Sequence, residues 1–443
     1  MLPTLAIVGR PNVGKSTLFN VLTQSRRALV ADVPGVTRDR QYGYGHFAET
    51  SFLVIDTGGF ADPDHPEIAN LTDKQVWQAI HEANIILFLV DGQVGLTTVD
   101  EILAQQLREL PDKYIHLVIN KVDREASQMV AAEFYALGLK DPDIIAAKSA
   151  RGIDVLLQHV LSDVEFEESA PEIMDADAIH IAVVGRPNVG KSTLINRILG
   201  EERLVVSEIS GTTRDSIFVP FSTADQSYML IDTAGVRRKS KVDNKIEKFS
   251  IIKTMQTIVR AHVVLMLMSA QESIADQDLK ILGYIIQAGK PFVLLFNKWD
   301  HLSDYDREQF KAAIDRRLVF AKFARRYFIS ALHGSGLGRL FASIKETYAA
   351  ATQTFTTPEL TKSLEKALQQ HQPPVVRGRR IKLRYAHLGS QDPLTFVIHG
   401  KQTDSLPSSY GRYLANYFRE QFHLVGVPLL LEFRKDSNPY AIN

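Results

Sequence analysis

Leu5-Ala6-Ile7-Val8-Gly9-Arg10-Pro11-Asn12-Val13-Gly14-Lys15-Ser16-Thr17-Leu18-Phe19-Asn20 decides the fold, because it occurs twice. The second copy reads Ile181-Ala182-Val183-Val184-Gly185-Arg186-Pro187-Asn188-Val189-Gly190-Lys191-Ser192-Thr193-Leu194-Ile195-Asn196. Each copy opens with four apolar residues that read as a buried strand, crosses a glycine-bounded loop and enters a helix-like run. The offset of 176 residues also carries Thr37-Arg38-Asp39 onto Thr213-Arg214-Asp215, and Asp56-Thr57-Gly58-Gly59 onto Asp232-Thr233-Ala234-Gly235. Asn120-Lys121-Val122-Asp123 recurs as Asn297-Lys298-Trp299-Asp300, and Ser149-Ala150 is matched with Ser330-Ala331. A period this long marks duplicated domains, not a solenoid.

Within the first copy, Leu5–Val8, Phe52–Ile55, Ile85–Val90 and Ile115–Ile119 read as short buried strands. Asp73–Ala83 and Val99–Leu110 read as helices between them. Strands alternating with helices predict an α/β fold, a mostly parallel sheet with helices on both faces. Motifs that follow strand ends then gather at the carboxyl edge of the sheet, where such folds bind ligands.

The 443 residues suit about three domains. A composition 45% hydrophobic and 23% charged excludes a disordered or collagen-like chain. The absence of cysteine excludes disulfides, thiolate metal sites and Cys nucleophiles. Cysteine-free composition is compatible with a reducing cytoplasm, and no apolar run reaches the ~18 residues of a membrane span. No basic segment precedes the first strand, so no signal peptide is expected. The zero net charge is unevenly spread: residues 1–160 carry −6, 161–178 carry −7, 179–356 carry +8 and 357–443 carry +5. The basic rear of the chain favours a polyanionic partner. The expected divisions are a first domain 1–161, an acidic linker 162–178, a second domain 179–356 and a small domain 357–443.

Gly9 to Ser16 and Gly185 to Ser192 both match G-x-x-x-x-G-K-S. Such a loop curls its backbone N–H groups around a phosphate, and the following helix adds its positive end. Lys15 and Lys191 are candidates for the β- and γ-phosphates, Ser16 and Ser192 for Mg²⁺, with Thr17 and Thr193 completing the turn. Asp56 and Asp232 end strands and suit a carboxylate that holds Mg²⁺ through water. Thr57, Gly58 and Gly59, with Thr233, Ala234 and Gly235, follow towards the γ-phosphate. Thr37 and Thr213 lie in polar loops and are candidate switch threonines that meet Mg²⁺ only with a γ-phosphate present.

Asn120-Lys121-Val122-Asp123 and Asn297-Lys298-Trp299-Asp300 choose the base. A carboxylate accepts two hydrogen bonds from guanine N1–H and its amino group, and adenine offers no such pair. A mismatch of this kind is worth roughly 10⁴–10⁵ in discrimination. The asparagines brace the loops and the lysine stems lie along the purine. Ser149-Ala150 and Ser330-Ala331 would offer N–H groups to guanine O6. GTP or GDP with Mg²⁺ is therefore the expected ligand pair. Phe60 and Val236 stand where familiar signalling GTPases place a water-orienting glutamine, which implies slow unaided hydrolysis. Asn12 and Asn188 either ligate a monovalent cation that supplies transition-state charge or only cap the loop.

Two such domains, each with Gly-Arg-Pro-Asn-Val-Gly-Lys-Ser-Thr-Leu, resemble the Der/EngA family of bacterial GTPases over nearly the whole chain. The resemblance implies a carboxy-terminal KH-like domain and a role in maturing the large ribosomal subunit and its rRNA. It also implies K⁺-stimulated hydrolysis through Asn12 and Asn188, in a cytoplasmic, monomeric protein. Asp91-Gly92 ends a strand in the first copy, and Ser269-Ala270 stands in the second where the family leads one to expect Asp.

In the last 87 residues, Pro358–Gln370 and Tyr410–Phe422 read as helices, and Arg380–Tyr385, Leu394–Ile398 and Pro428–Phe433 as strands. The order α-β-β-α-β suits a small two-layer α+β domain. It lacks the G-x-x-G loop with which ordinary KH domains clamp a nucleic-acid backbone. Two other functions stay in view: a nucleotide-stabilised scaffold with little turnover, and a P-loop phosphotransferase acting on a small molecule.

Overall fold

The computed structural model describes residues 2–23, 27–28, 41–48, 50–57, 76–122, 127–162, 177–200, 205–206, 218–223, 225–231, 251–376 and 379–435. The chain divides into two compact units, 1–25 with 37–170, and 26–36 with 171–443. Among the described residues, no helix is long and apolar enough to cross a membrane.

In the first unit, β1 (Thr4–Val8) leads into α1 (Lys15–Thr23). β2 (Arg27–Ala28) belongs to the second unit. β3 (Gln41–Phe47) and β4 (Thr50–Asp56) form a hairpin, followed by β5 (Ile85–Asp91), α2 (Thr98–Arg108) and β6 (Tyr114–Asn120). α3 (Ser127–Phe134), β7 (Asp143–Ile144) and α4 (Ile153–Ser162) complete it. The sheet runs β3-β4-β1-β5-β6-β7, parallel except where β3 meets β4. β1 and β5 are buried at every position, as the unbroken apolar runs require of strands covered on both faces. β3 was not among the expected strands: its Tyr42-Gly43-Tyr44-Gly45 alternates ring and glycine, a pattern weaker than an apolar run.

The second unit repeats this plan. β8 (Ile179–Val184), α5 (Lys191–Leu199), β9 (Val205–Val206), β10 (Val219–Thr223) and β11 (Gln226–Ile231) come first. α6 (Ile251–Arg260), β12 (Val263–Ser269), α7 (Asp276–Gln287) and β13 (Phe292–Asn297) follow. α8 (Asp304–Arg317), β14 (Arg326–Phe328) and α9 (Leu340–Ala351) end the repeat. Its sheet runs β14-β13-β12-β8-β11-β10-β9. In both repeats the phosphate loop leaves the strand at which the chain order reverses, β1 or β8, the position where open α/β sheets bind ligands.

The carboxy-terminal part follows the predicted order. α10 (Thr357–Gln370) is followed by the two-residue strands β15 (Val375–Val376) and β16 (Arg379–Arg380). Then come β17 (Lys382–Gln391), β18 (Leu394–Lys401), α11 (Ser408–Gln421) and β19 (Leu430–Lys435). β17 and β18 are antiparallel, β18 and β19 are parallel with α11 as the crossover, and β2 lines the edge of β19. Leu360, Leu364 and Ala367 of α10, spaced as the helix period predicts, pack with Phe396, Leu414 and Phe418 in one core. This part is tied to the second repeat. Gly426 O accepts from Phe292 N and Gly426 N donates to Phe323 O, each at 2.9 Å. The Lys290 ammonium pairs with Asp392 at 2.7 Å, and the Arg419 guanidinium lies 4.3 Å over the Phe323 ring.

Candidate nucleotide sites

Both phosphate loops have one geometry. Gly14 and Gly190 adopt φ +102°, and a Cβ there would fall 2.3 Å from Nδ2 of Asn120 or Asn297, so only glycine fits. Asn12 and Asn188 take left-handed backbone, φ 65° and 62°, which asparagine tolerates best among residues with a side chain. The first rungs of the helices are Leu18 N to Gly14 O and Leu194 N to Gly190 O, both 2.9 Å. The N–H groups of Lys15, Ser16 and Thr17, and of Lys191, Ser192 and Thr193, therefore precede the ladder and supply an anion site.

Lys15 Nζ donates to Gly9 O at 3.0 Å and to Arg10 O at 2.7 Å. Lys191 does the same to Gly185 O and Arg186 O at 3.1 and 2.9 Å. Burial pushes the Lys15 ammonium down to about 8, with Asp56 opposing the shift and Arg10 adding to it. Ser16 Oγ lies 2.7 Å from the Asp56 carboxylate, which is buried. A hydroxyl and a carboxylate converging beside the phosphate loop are a donor set that suits Mg²⁺. Thr57 Oγ1 donates to Ile7 O at 2.7 Å, so it fastens the strand end and is spent on structure.

Asn120 and Asn297 join three segments in each repeat. Asn120 Nδ2 donates to Val13 O at 2.9 Å and its Oδ1 accepts from Ala147 N at 3.0 Å. Asn297 donates to Val189 O and accepts from Ala331 N, both at 2.8 Å. Both side chains are buried. The lysines that follow, Lys121 and Lys298, have φ 68° and 65°.

These contacts correct one expectation. The structural counterpart of Ser330-Ala331 is Ala146-Ala147, not Ser149-Ala150. Ala147 and Ala331 occupy the same place on the bracing asparagine, and the bridge Ala146–Arg151 matches Ser330–Ser335. Ala150 instead matches Gly334, both in left-handed backbone at φ 54° and 76°. Letter matching picked the wrong Ser-Ala pair because the first repeat has alanine where the second has serine.

Sequence reasoning missed Asp100 and Asp278. Each is the third residue of its helix, α2 or α7, and accepts the N-cap backbone N–H, from Thr97 at 3.2 Å or Ala275 at 3.0 Å. Each also faces the phosphate-loop arginine: Arg186 Nε to Asp278 at 2.8 Å, with Glu272 adding a bond at 2.9 Å, and Arg10 Nε to Asp100 at a looser 3.4 Å. The signal was an acidic residue at the third helical position in both copies.

Asp300 is held below the ordinary carboxylate range, first by the Ser330 hydroxyl, with His301 and His333 beside it at 3.3 and 3.6 Å. Thr37, Gly58, Gly59, Phe60, Asp123, Thr213, Asp232, Thr233, Ala234, Gly235, Val236 and the acidic run 163–176 lie outside the described residues.

Family models match both repeats and the carboxy-terminal part. A family described as 50S ribosome-binding GTPase matches residues 4–121 and 180–298. The KH-domain-like C-terminal domain of EngA bacterial GTPase enzymes matches residues 355–434. GTPase Der of Coxiella burnetii (strain Dugway 5J108-111) is 54% identical over 99% of both chains. GTPase Der of Legionella pneumophila (strain Corby) is 54% identical over 100% of this chain and 95% of its own. The solved Era of Aquifex aeolicus is 25% identical, covering 48% of this chain and 74% of that one, with a TM-score of 0.33.

Proposed function

The chain belongs to the Der family of GTPases, and from that premise we propose that its nucleotide state gates docking on the large ribosomal subunit and its rRNA during assembly. It binds and hydrolyses GTP in two P-loop domains, and the scaffold and phosphotransferase alternatives are not favoured. The observation that carries the reading is the doubled brace. Asn120 and Asn297 each tie the phosphate loop to the loop beyond the last strands, so one residue sets the spacing between the phosphate end and the base end of the pocket.

In this reading the helix N-termini and Lys15 or Lys191 take the β- and γ-phosphates, while Asp123 and Asp300 read the guanine edge. Ser16, Thr37 and Asp56 in the first site, and Ser192, Thr213 and Asp232 in the second, would hold Mg²⁺. When bound, that ion draws charge from the phosphates. Asn12 and Asn188 are exposed at the crown of the loop, and their amide oxygens would hold K⁺, which when bound would add positive charge beside the phosphates. Phe60 and Val236 cannot orient water through their side chains, so turnover is slow in Na⁺ and rises in K⁺. We divide the chain into GTPase domains 1–161 and 179–356, an acidic linker 162–178 and a KH-like domain 357–443, and place it in the cytoplasm as a monomer off membranes. Sedimentation with ribosomal subunits and a non-hydrolysable GTP analogue tests the proposal. Co-sedimentation with the large subunit in one nucleotide state supports it; equal behaviour with GDP, with the analogue and without nucleotide overturns the gating.

A further inference from the structure

Asp91 and Ser269 hold equivalent places. Each ends the strand beside the bracing asparagine, Asp91 in register with Asn120 and Ser269 with Asn297. The next residue's N–H, Gly92 or Ala270, donates to that asparagine's carbonyl at 2.9 or 2.8 Å. Their side chains differ in reach and charge. The Asp91 carboxylate accepts from Lys121 Nζ at 2.7 Å and from Gln93 N at 3.0 Å, with its side chain 4% exposed. Lys121 Nζ also donates to Asn12 O at 2.7 Å. The lysine of the base-reading motif is thus pinned between strand β5 and the phosphate loop. Burial works to raise the Asp91 carboxyl, and the Lys121 and Gln93 bonds outweigh it, leaving the group below its ordinary range.

In the second pocket Ser269 Oγ is buried with no hydrogen-bond partner among the described residues. Lys298 shares the left-handed backbone of Lys121, but its ammonium makes no hydrogen bond or ion pair among the described residues. A serine is too short and uncharged to replace the carboxylate. Resting on the reading of these loops as guanine pockets, we propose that Asp91 is a positioning residue for the base-reading lysine and that Ser269 withholds the same support, so the second pocket releases guanine nucleotide faster than the first.

One feature works the other way. The Ser330 hydroxyl favours the charged form of Asp300 in the second pocket, and its counterpart Ala146 has no hydroxyl to do so. The lysine effect is the larger, because a lysine has far more side-chain freedom to lose on ordering than an aspartate. Ordering a long side chain only on binding corresponds to about tenfold in affinity or release.

The test uses the full chain and N-methylanthraniloyl-GDP in Mg²⁺, with release followed by stopped-flow displacement. Lys191→Ala isolates the first pocket and Lys15→Ala the second. Release from the second pocket is expected to be about tenfold faster than from the first. Asp91→Ser accelerates first-pocket release by about the same factor, and Asp91→Glu restores part of the slow phase. Ser269→Asp slows second-pocket release, and because it adds a support it decides the matter even if Asp91→Ser fails to fold. Unchanged release in Ser269→Asp, with nucleotide still bound, overturns the proposal. Equal binding of the adenine analogue, or no binding in either pocket, overturns the guanine-pocket reading itself and this inference with it.

Discussion

The two GTPase repeats share a frame and divide their supports differently. In the first, the carboxylate of Asp91 holds the base-reading lysine, while the arginine of the phosphate loop sits loosely on Asp100 at 3.4 Å. In the second, that lysine has no such partner among the described residues, but Arg186 is clamped by Asp278 and Glu272, and the Ser330 hydroxyl favours the charged form of Asp300. Duplicated motifs thus fix which ligand each pocket takes, and the residues around them fix how firmly each part is held. One copy is firm at the lysine, the other at the loop arginine.

The largest predicted effect tests whether the motifs are equivalent at all. Asp123→Asn and Asp300→Asn should each cost up to roughly 10⁴-fold in guanine over adenine preference at the altered pocket. Competition binding with the other phosphate loop disabled would measure it; a retained preference in one pocket would mean that this pocket reads its base by other groups. Lys15→Ala and Lys191→Ala should each lower turnover of one site by roughly 10²- to 10³-fold, seen as loss of one component of phosphate release. If either variant kept full turnover in both components, the repeats would not be two independent sites.

Asn12→Ala and Asn188→Ala should abolish the gain in KCl over NaCl, about tenfold, with little change in nucleotide affinity. A gain that survives in one repeat would confine the cation to the other. The first site should also respond to alkali. Burial pushes its lysine down to about 8, and a triphosphate favours the charged form, so binding takes up a proton. Affinity in the Lys191→Ala chain should therefore fall by roughly eightfold between about pH 7.5 and 9, measured by calorimetry in buffers of different ionisation heat. A flat profile would place the Lys15 ammonium in an environment like bulk water. The smallest effect concerns the serine that the first repeat lacks. Ser330→Ala should weaken guanine binding at the second site by about threefold, and Ala146→Ser should strengthen it at the first by a similar factor.

Much of this was legible in the sequence. The phosphate loops, the bracing asparagines and the strand ends that carry them were readable because phosphate binding demands glycines and a lysine at fixed spacing next to a strand. The α-β-β-α-β order of the last part followed from periodicity, since Leu360, Leu364 and Ala367 share one helix face. The pairing of Ser149-Ala150 with Ser330-Ala331 failed for a physical reason. What is shared there is a backbone N–H on an asparagine oxygen, and any residue can supply an N–H. Asp100 and Asp278 escaped notice because a helix-capping carboxylate looks like ordinary capping until its second partner, an arginine some 90 residues earlier, is brought beside it. β15, β16 and β2 span two residues each, too short to leave any pattern.

Strand β13 has a different job at each end. Its first residue, Phe292, is bonded to Gly426 of the carboxy-terminal part, and its last, Asn297, is the brace of the second pocket. Those ends are separated by roughly 16 Å of extended backbone, a length that main-chain geometry leaves almost no freedom to stretch. Force applied to the KH-like domain therefore arrives at the guanine pocket along a tie rod of one strand.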